Sequence, residues 1–577
     1  MKRPFSVYCD WAYHDELGDS VELDEKMTMT ALDALERWKR AHGFGFDYYL
    51  LDAFWFDPRG AYKEFKKTHW PRGFERARAR MAELGMRPGL WYDVNSSLLD
   101  VAAWEKSVDA GDRCYSLSSG PYAKGLEEAW RHAIREWGVR LFKLDFANFW
   151  AAAKGSKEPP FEVYSKSIAA LRQILRRLRD EYPDLAVIAY NGTERWGGFL
   201  GRPVGSPLAD GFDLSWLDIF DYQYSGDPRP GDLPRTDLRR SIDIFQDHQV
   251  WLLWRCGFPL DRIDDHGCMV GDTNTIFYQG AHGLRRSYLA TLARGGKRDI
   301  YYGDPTLPLP ADVDFMRRAR ELFFGAFRSG LGAVPVGGEP GACPWHGFLT
   351  GGGARGLLYL VNGSFTAQEV SLHLSGLSRA EVLFRDSGPE VGVSVSRERL
   401  SVELAPEQMA LVGLGEYAKS ELDLGVSDAS RQPRSMGLLP LVMRDGPGGA
   451  LSGEIGRRLS AREHLFVVAQ AFNAADFSDS GPGLPLPRRF GGQTCAKGPR
   501  RQRPLTHEQV AISVEHGRKA LEPAKLVPDV PVWAGISWVA KMYDAGSVAG
   551  RAPLAVRVRQ ELEPPRELVV RAYAVTY

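Results

Sequence analysis

From Pro4 to about Arg328 the sequence repeats one rhythm. A short apolar run rich in β-branched and aromatic residues gives way to a longer stretch with helical periodicity. The runs PFSVYCDWAY, DYYLLDAFWF, MRPGLWYDV, VRLFKLDFANF, LAVIAYNG, LSWLDIFDYQYSGD, VWLLWRCGF and RDIYYGDP read as eight strands. Between them lie helical stretches such as DEKMTMTALDALERWKRA, with Asp24 as N-cap, PRGFERARARMAELG, with Gly85 just past its end, and TDLRRSIDIFQDHQ. In FEVYSKSIAALRQILRRLRDEY the residues Tyr164, Ile168, Leu171, Leu175, Leu178 and Tyr182 form one stripe expected to face inward. Eight strands, most followed by a helix, predict an α/β fold with a (β/α)8 TIM barrel over residues 1–330. A doubly wound sheet is disfavoured because no glycine-rich phosphate turn follows an early strand.

Beyond Ser329 the helical periodicity fades. GLLYLVNGS, EVSLHLSG and MALVGLG predict a β-sandwich over 331–418. A further β-rich domain is expected over 419–577, with strands in EHLFVVAQAF, VAISVEHG, APLAVRVRQEL and RELVVRAYAVTY. The fold class is thus a barrel followed by C-terminal all-β sandwich domains.

Charge narrows the partners. The 577 residues carry 73 lysines and arginines against 73 aspartates and glutamates, so no global field draws the chain to nucleic acid or an anionic membrane. The six cysteines are scattered, with no metal-ligand spacing, and read as mostly buried free thiols. No apolar run is long enough for a signal peptide or a membrane span. The expectation is a cytoplasmic protein, or a secreted one if a leader has been removed; homo-oligomer formation is left open. Of 16 tryptophans, 13 lie between Trp11 and Trp254, which favours a site with aromatic walls of the kind sugars stack on.

Catalytic residues of a barrel sit where its strands end. The polar residues there are Asp10, Trp11 and Tyr13; Asp52 and Trp55; Trp91, Tyr92 and Asp93; Lys143, Asp145 and Asn148; Tyr190 and Asn191; Asp227; and Arg255. Carboxylates among aromatic rings are what glycoside hydrolysis needs. One carboxylate attacks or stabilises an oxocarbenium-like centre, and the other protonates the departing oxygen. In LFKLDFANF, Lys143 and Asp145 stand two apart on a strand and point into the same mouth, where the ammonium is expected to keep the carboxylate ionised. In YQYSGDPRPGD, Asp227 stands on a loop lip just past a strand, with Asp221 and Asp232 as rivals.

FKLDFANF resembles the nucleophile segment of the clan D glycoside hydrolases, families 27 and 36, mainly α-galactosidases and α-N-acetylgalactosaminidases. LLDAFWF is similar to their Asp-Asp-x-Trp segment, GMRPGLWYDV to their Gly-Leu-Trp segment, and YSGDPRPGDLPRTDLRRSIDIFQ to their acid/base loop and the helix after it. The resemblance spans about residues 4–330. It implies a retaining exo-α-glycosidase with Asp145 as nucleophile and Asp227 as general acid/base. Asp52, Trp55, Trp91 and Lys143 then line the first sugar subsite, with Asp93, Tyr190 and Gln223 as further substrate contacts. The implied substrate is an oligosaccharide or glycoconjugate, with no cofactor and no metal. Three departures bear on the sugar accepted: Ala53 replaces a second aspartate, Gln223 stands roughly where an arginine often reaches the 2-position, and AYNGTERWGG does not reproduce the usual fifth-strand loop. Alternatives are an α-N-acetylgalactosaminidase, a β-L-arabinopyranosidase, an isomalto-dextranase-like enzyme, or a carbohydrate-binding barrel without turnover.

Other signals read as structural. DRIDDHGCMVGD gathers Asp261, Asp264, Asp265, His266 and Asp272, but lacks EF-hand spacing and is expected to be a solvated loop at the site's border. GGGARG at 351–356 precedes a strand and reads as a hairpin turn. Asn95, Asn191 and Asn362 begin glycosylation sequons that carry little weight without a secretory signal. Trp533 and Trp538 read as core.

Overall fold

In the computed structural model, the described residues are 4–14, 23–95, 99–101, 104, 106–109, 112–189, 214–225, 234–255, 257–265, 268–271, 281–427, 432–446, 449–472, 477–478, 486–487, 509–524, 538–562 and 567–577. The chain divides into two units, each described by itself. One comprises Met1–Gly226, Leu253–Ala281 and Gly296–Arg320; the other comprises Asp227–Leu252, His282–Gly295 and Glu321–Tyr577.

The first unit is built on an all-parallel sheet of nine strand segments. In chain order they are β1 Phe5–Cys9, β2 Tyr48–Leu51, β3 Arg87–Asp93, β4 Leu141–Asp145, β5 Ala186–Ala189, β6 Tyr222–Tyr224, β7 Ile263–Asp264, β8 Met269–Val270 and β9 Arg298–Gly303. The hydrogen-bonded order is β8-β9-β1-β2-β3-β4-β5-β6-β7. Its two ends, β7 and β8, are pieces of one stretch of chain, so the ladder comes round on itself as a TIM-like barrel. Side chains reinforce the join. Arg298 on β9 forms ion pairs with Asp264, at 3.3 Å, and with Asp265, while Tyr302 donates to Asp264 Oδ2 at 2.8 Å. Gly303 is required there: its φ is 154°, and an added Cβ would stand 2.0 Å from the Val270 carbonyl oxygen.

Helices α1 Glu25–His42, α2 Glu75–Glu83, α3 Tyr122–Glu136 and α4 Pro160–Glu181 connect these strands. Asp24 caps α1 by accepting the Met27 amide at 2.7 Å, as expected. Gly85, with φ 73°, follows α2 as expected. The inward face of α4 differs from the expected stripe: Val163, Ser167, Leu171, Ile174, Leu175 and Leu178 are buried, whereas Tyr164 and Ile168 are half-buried and Tyr182 lies past the helix end.

Two strands depart from expectation. VWLLWRCGF is not strand seven; together with TDLRRSIDIFQDHQ it supplies one helix, α5 Leu238–Arg255. Residues 238–250 are all buried, including Arg239, Arg240, Asp243, Asp247 and His248, so the segment has no exposed face and its helical period is hidden. The seventh strand lies instead in DRIDDHGCMVGD. Asp264 and Asp265 are buried in ion pairs with Arg298, which corrects the expectation of a solvated loop; His266 and Asp272 lie outside the described residues. The sixth strand is shorter than read, because LSWLD forms a 3-10 turn.

The second unit carries the all-β part. A six-stranded sheet, from Ala333–Gly337 to Gly425–Val426, faces a three-stranded one across a core of Leu349, Leu358, Leu360, Val370, Leu400, Val402 and Val412. GGGARG is the expected hairpin turn, with Gly351 paired to Gly356. Four- and five-stranded sheets built from Ser435–Leu439 onward complete the chain. Trp538 is core, at 4% exposure, and Trp533 lies outside the described residues. Cys9, Cys114 and Cys268 are buried free thiols, and Cys343 is half-buried. Asn95 and Asn362 are fully buried, which leaves those two sequons inaccessible; Asn191 is outside the described residues. No described helix is long and apolar enough to cross a membrane.

Candidate active site

The first four strands run parallel and end at, or one residue before, Asp10, Asp52, Asp93 and Asp145, which brings these four carboxylates to the same end of the sheet. Asp145 is the last residue of β4 and is half-buried. Its Oδ2 accepts the Trp91 indole N–H at 3.3 Å, and its Oδ1 accepts the Phe146 amide at 2.9 Å. Phe146 has a left-handed φ of 46°, a strained conformation for a bulky residue, and it turns the chain at the end of the strand. Burial pushes the Asp145 carboxyl up to about 6, against the opposing effects of the Lys143 charge and the two N–H donors.

Two residues back, Lys143 reaches across β3 to Asp52, with Nζ 2.7 Å from Oδ2. Asp52 also takes the Cys9 thiol at 3.1 Å and the Ala53 amide at 2.9 Å, and its own amide donates to Asp10 Oδ1 at 2.9 Å. Burial disfavours both charges of the pair. Their mutual attraction outweighs it, holding Asp52 below the ordinary carboxylate range and Lys143 above the ordinary ammonium range. The Lys143 ammonium stands 5.4 Å from the centroid of the Trp11 ring and 5.7 Å from that of Tyr302.

Sequence reading missed His14. It sits in a helical turn, Trp11–His14, with its ring 5.7 Å from Trp11. It is 2% exposed, and its Nε2 has no hydrogen-bond partner among the described residues. Burial lowers it to about 4, with Asp52 raising it and Lys143 lowering it, so the ring is neutral near pH 7. Those two opposing charges place it beside the ion pair. The available signal was spacing: His14 stands four residues past Asp10, one helical turn from the end of β1.

The other expected site residues divide. Asp93 is buried next to Asp145 in register, Asp93↔Asp145, and its carbonyl accepts the Tyr62 hydroxyl at 3.0 Å. Gln223 is buried on β6, with its amide 3.3 Å from the Tyr224 carbonyl. Trp55 is wholly buried among Phe65, Tyr92 and Trp137, and its N–H donates to the Trp91 carbonyl at 2.8 Å. It therefore props the residue that holds Asp145. Asp221 is tied to Arg179 and to the Val187 amide, which gives it a structural partner set. Asp227, Asp232 and Tyr190 lie outside the described residues. Arg255, read as the end of strand seven, ends α5 instead. Among the described residues, no three or more His, Cys, Asp or Glu side chains are grouped to hold a metal.

No family model matches the chain, and no curated protein matches it in sequence. Solved structures do match. The α-galactosidase from Lactobacillus brevis is 12% identical, with a TM-score of 0.50 over 72% of this chain and 55% of that one. The GH36 α-galactosidase AgaA from Geobacillus stearothermophilus is 13% identical, with a TM-score of 0.48 over 72% of this chain and 56% of that one. This chain has the fold of the Lactobacillus enzyme, a TIM-like barrel with additional β-sheets. It spans about half the length of each of these two proteins.

Proposed function

We propose that the chain is a retaining exo-α-glycosidase, with terminal α-galactosides as the first substrates to test. The observation that carries this reading is the carboxylate of Asp145. It ends the fourth strand, is fixed by two N–H donors, and stands beside a buried Lys143–Asp52 pair. Such a carboxylate is oriented for attack on an anomeric carbon and is ionised at neutral pH. In the first step Asp145 bonds to C1 while Asp227 gives its proton to the departing oxygen. In the second, Asp227 takes a proton from water, which displaces Asp145 with overall retention. Asp52, Lys143, Trp91 and Asp93 are assigned to hold the sugar, with Gln223 and Ala53 setting which sugar is accepted and His14 offering an unused ring nitrogen to a hydroxyl. The fold shared with the Lactobacillus α-galactosidase and the motifs quoted above support galactose as the starting choice.

The test is covalent trapping. A 2-deoxy-2-fluoro-α-galactosyl fluoride should label one residue, and peptide mass spectrometry should find the sugar on Asp145. A label elsewhere, or a first-formed product of inverted configuration by NMR, would overturn the assignment. A panel of nitrophenyl α-galactoside, N-acetyl-α-galactosaminide and β-L-arabinopyranoside ranks the glycone.

A further inference from the structure

The loop after β4 carries a second feature close to Asp145. Asn95 and Asn148 pin this loop: the Asn148 amide donates to Asn95 Oδ1 at 2.7 Å, and Asn95 Nδ2 donates to the Asn148 carbonyl at 2.8 Å. Asn148 Oδ1 in turn accepts the Trp150 amide at 3.0 Å. The Trp150 ring lies on Tyr164 with centroids 4.4 Å apart and 29° between planes, and Phe161 meets its edge at 5.9 Å and 83°. Below them, buried Phe149 contacts Tyr164 and stacks on Trp216.

Phe161 is 74% exposed, and Trp150 is half-buried. One exposed phenylalanine is ordinary. Here it shares a surface with a tryptophan whose backbone is fixed only five residues from the candidate nucleophile. Pro160 sets the first turn of α4, so Phe161 and Tyr164 project from one face at i and i+3. In a βα unit, the loop after the strand and the start of the next helix lie at the C-terminal end of the barrel, the end that holds Asp145. Asn148 holds the Trp150 backbone and Tyr164 backs its ring, and the chemistry of the surface suits one occupant: a pyranose, whose C–H face packs on an aromatic ring while its hydroxyls stay in water.

We propose that Trp150 and Phe161 form a stacking platform for the leaving-group sugar, which makes the substrate an oligosaccharide with a ring beyond the scissile bond. The proposal rests on the glycosidase reading, so the test compares a substrate with no leaving-group ring, α-galactosyl fluoride, with raffinose. In the full-length protein, Phe161→Ser and Trp150→Leu should each lower kcat/KM on raffinose about 3- to 10-fold, the size of one lost aromatic contact, and leave the fluoride within about 2-fold. Equal losses on both substrates, or none on raffinose, overturn the platform. If wild type cleaves neither, the α-galactosidase reading fails, and the platform is tested by titrating raffinose against tryptophan fluorescence. Binding weakened by Phe161→Ser supports it, and absent or unchanged binding overturns it.

Discussion

The Lys143 ammonium lies 2.7 Å from Asp52 Oδ2, on the far side of β3, while its charge also lowers the carboxyl of Asp145 two residues along its own strand. One cation thus serves two carboxylates, bonding to one and biasing the other. Lys143→Met leaves Asp52 buried without its counter-ion, which costs about 3–5 kcal/mol in thermal or denaturant unfolding. It also removes the positive field at Asp145, so the acidic limb of kcat/KM should move to higher pH. Lys143→Met paired with Asp52→Leu should recover stability without recovering activity. A single variant as stable as wild type would deny the pair its structural weight.

Asp145 and His14 predict opposite pH slopes of stability. Burial raises the Asp145 carboxyl from its ordinary value of 3.8 to about 6. Between those values the native state holds a proton that the unfolded chain has lost, so stability falls as pH rises through that window. His14 drops from 6.5 to about 4, so across that range the unfolded chain holds the extra proton and stability rises with pH. The two slopes oppose each other between about pH 4 and 6. Asp145→Asn should therefore make the slope of stability against pH more positive over this range, and His14→Phe should make it more negative. Denaturant midpoints measured from pH 4 to 7 decide this; a slope change of the opposite sign in either variant would contradict the assignment of that residue.

His14→Phe carries a second consequence. Nε2 has no partner among the described residues, so an apolar ring of similar size removes no hydrogen bond to them, and stability at pH 7 should stay within about 1 kcal/mol of wild type or rise. KM for the accepted glycoside should increase with kcat little changed, because the lost contact is made in ground and transition state alike. A stability loss beyond about 3 kcal/mol, with KM unmoved, would mark His14 as a packing residue.

Residues on strands with clear flanks were readable, and residues whose meaning depends on a partner distant in sequence were not. FKLDFANF is bounded by a helix on each side, and β4 ends at Asp145 as its apolar run implies. The seventh strand failed because residues 238–250 of α5 are buried all round: their charged side chains are satisfied inside the fold, for example Asp243 by Arg286 and Asp247 by Arg294, so no polar face marks that part of the helix. Period alone cannot tell a buried helix from a buried strand. Lys143 next to Asp145 suggested a local pair, but an ion pair with Asp52 joins positions 91 residues apart, a relation set by barrel geometry. His14 escaped notice because nothing in WAYHD signals that burial will keep it neutral.

The two assigned aspartates should fail in different ways, and that difference is the sharpest check on the mechanism. Asp145 is fixed by Trp91 and Phe146 at the strand end, the geometry of a nucleophile that must not move as the bond forms. Asp145→Ala removes the attacking atom, so no glycosyl-enzyme forms and turnover should fall about 10³-fold or more on every substrate. Azide or formate, small enough to enter the vacated space, should restore part of it and give product of inverted configuration. Asp227 is assigned the proton, and a leaving group that departs without one has little need of it. Asp227→Ala should cost far more on raffinose than on α-galactosyl fluoride. Its second step should also slow, since water loses its base, and added azide should then yield a retained galactosyl azide. In a retaining enzyme the two carboxyls lie about 5–5.5 Å apart, too close to admit a water between them. Equal damage by Asp227→Ala on fluoride and raffinose would remove Asp227 from the acid/base role and pass the assignment to Asp232. An Asp145→Ala enzyme that kept its turnover would end the double-displacement reading altogether.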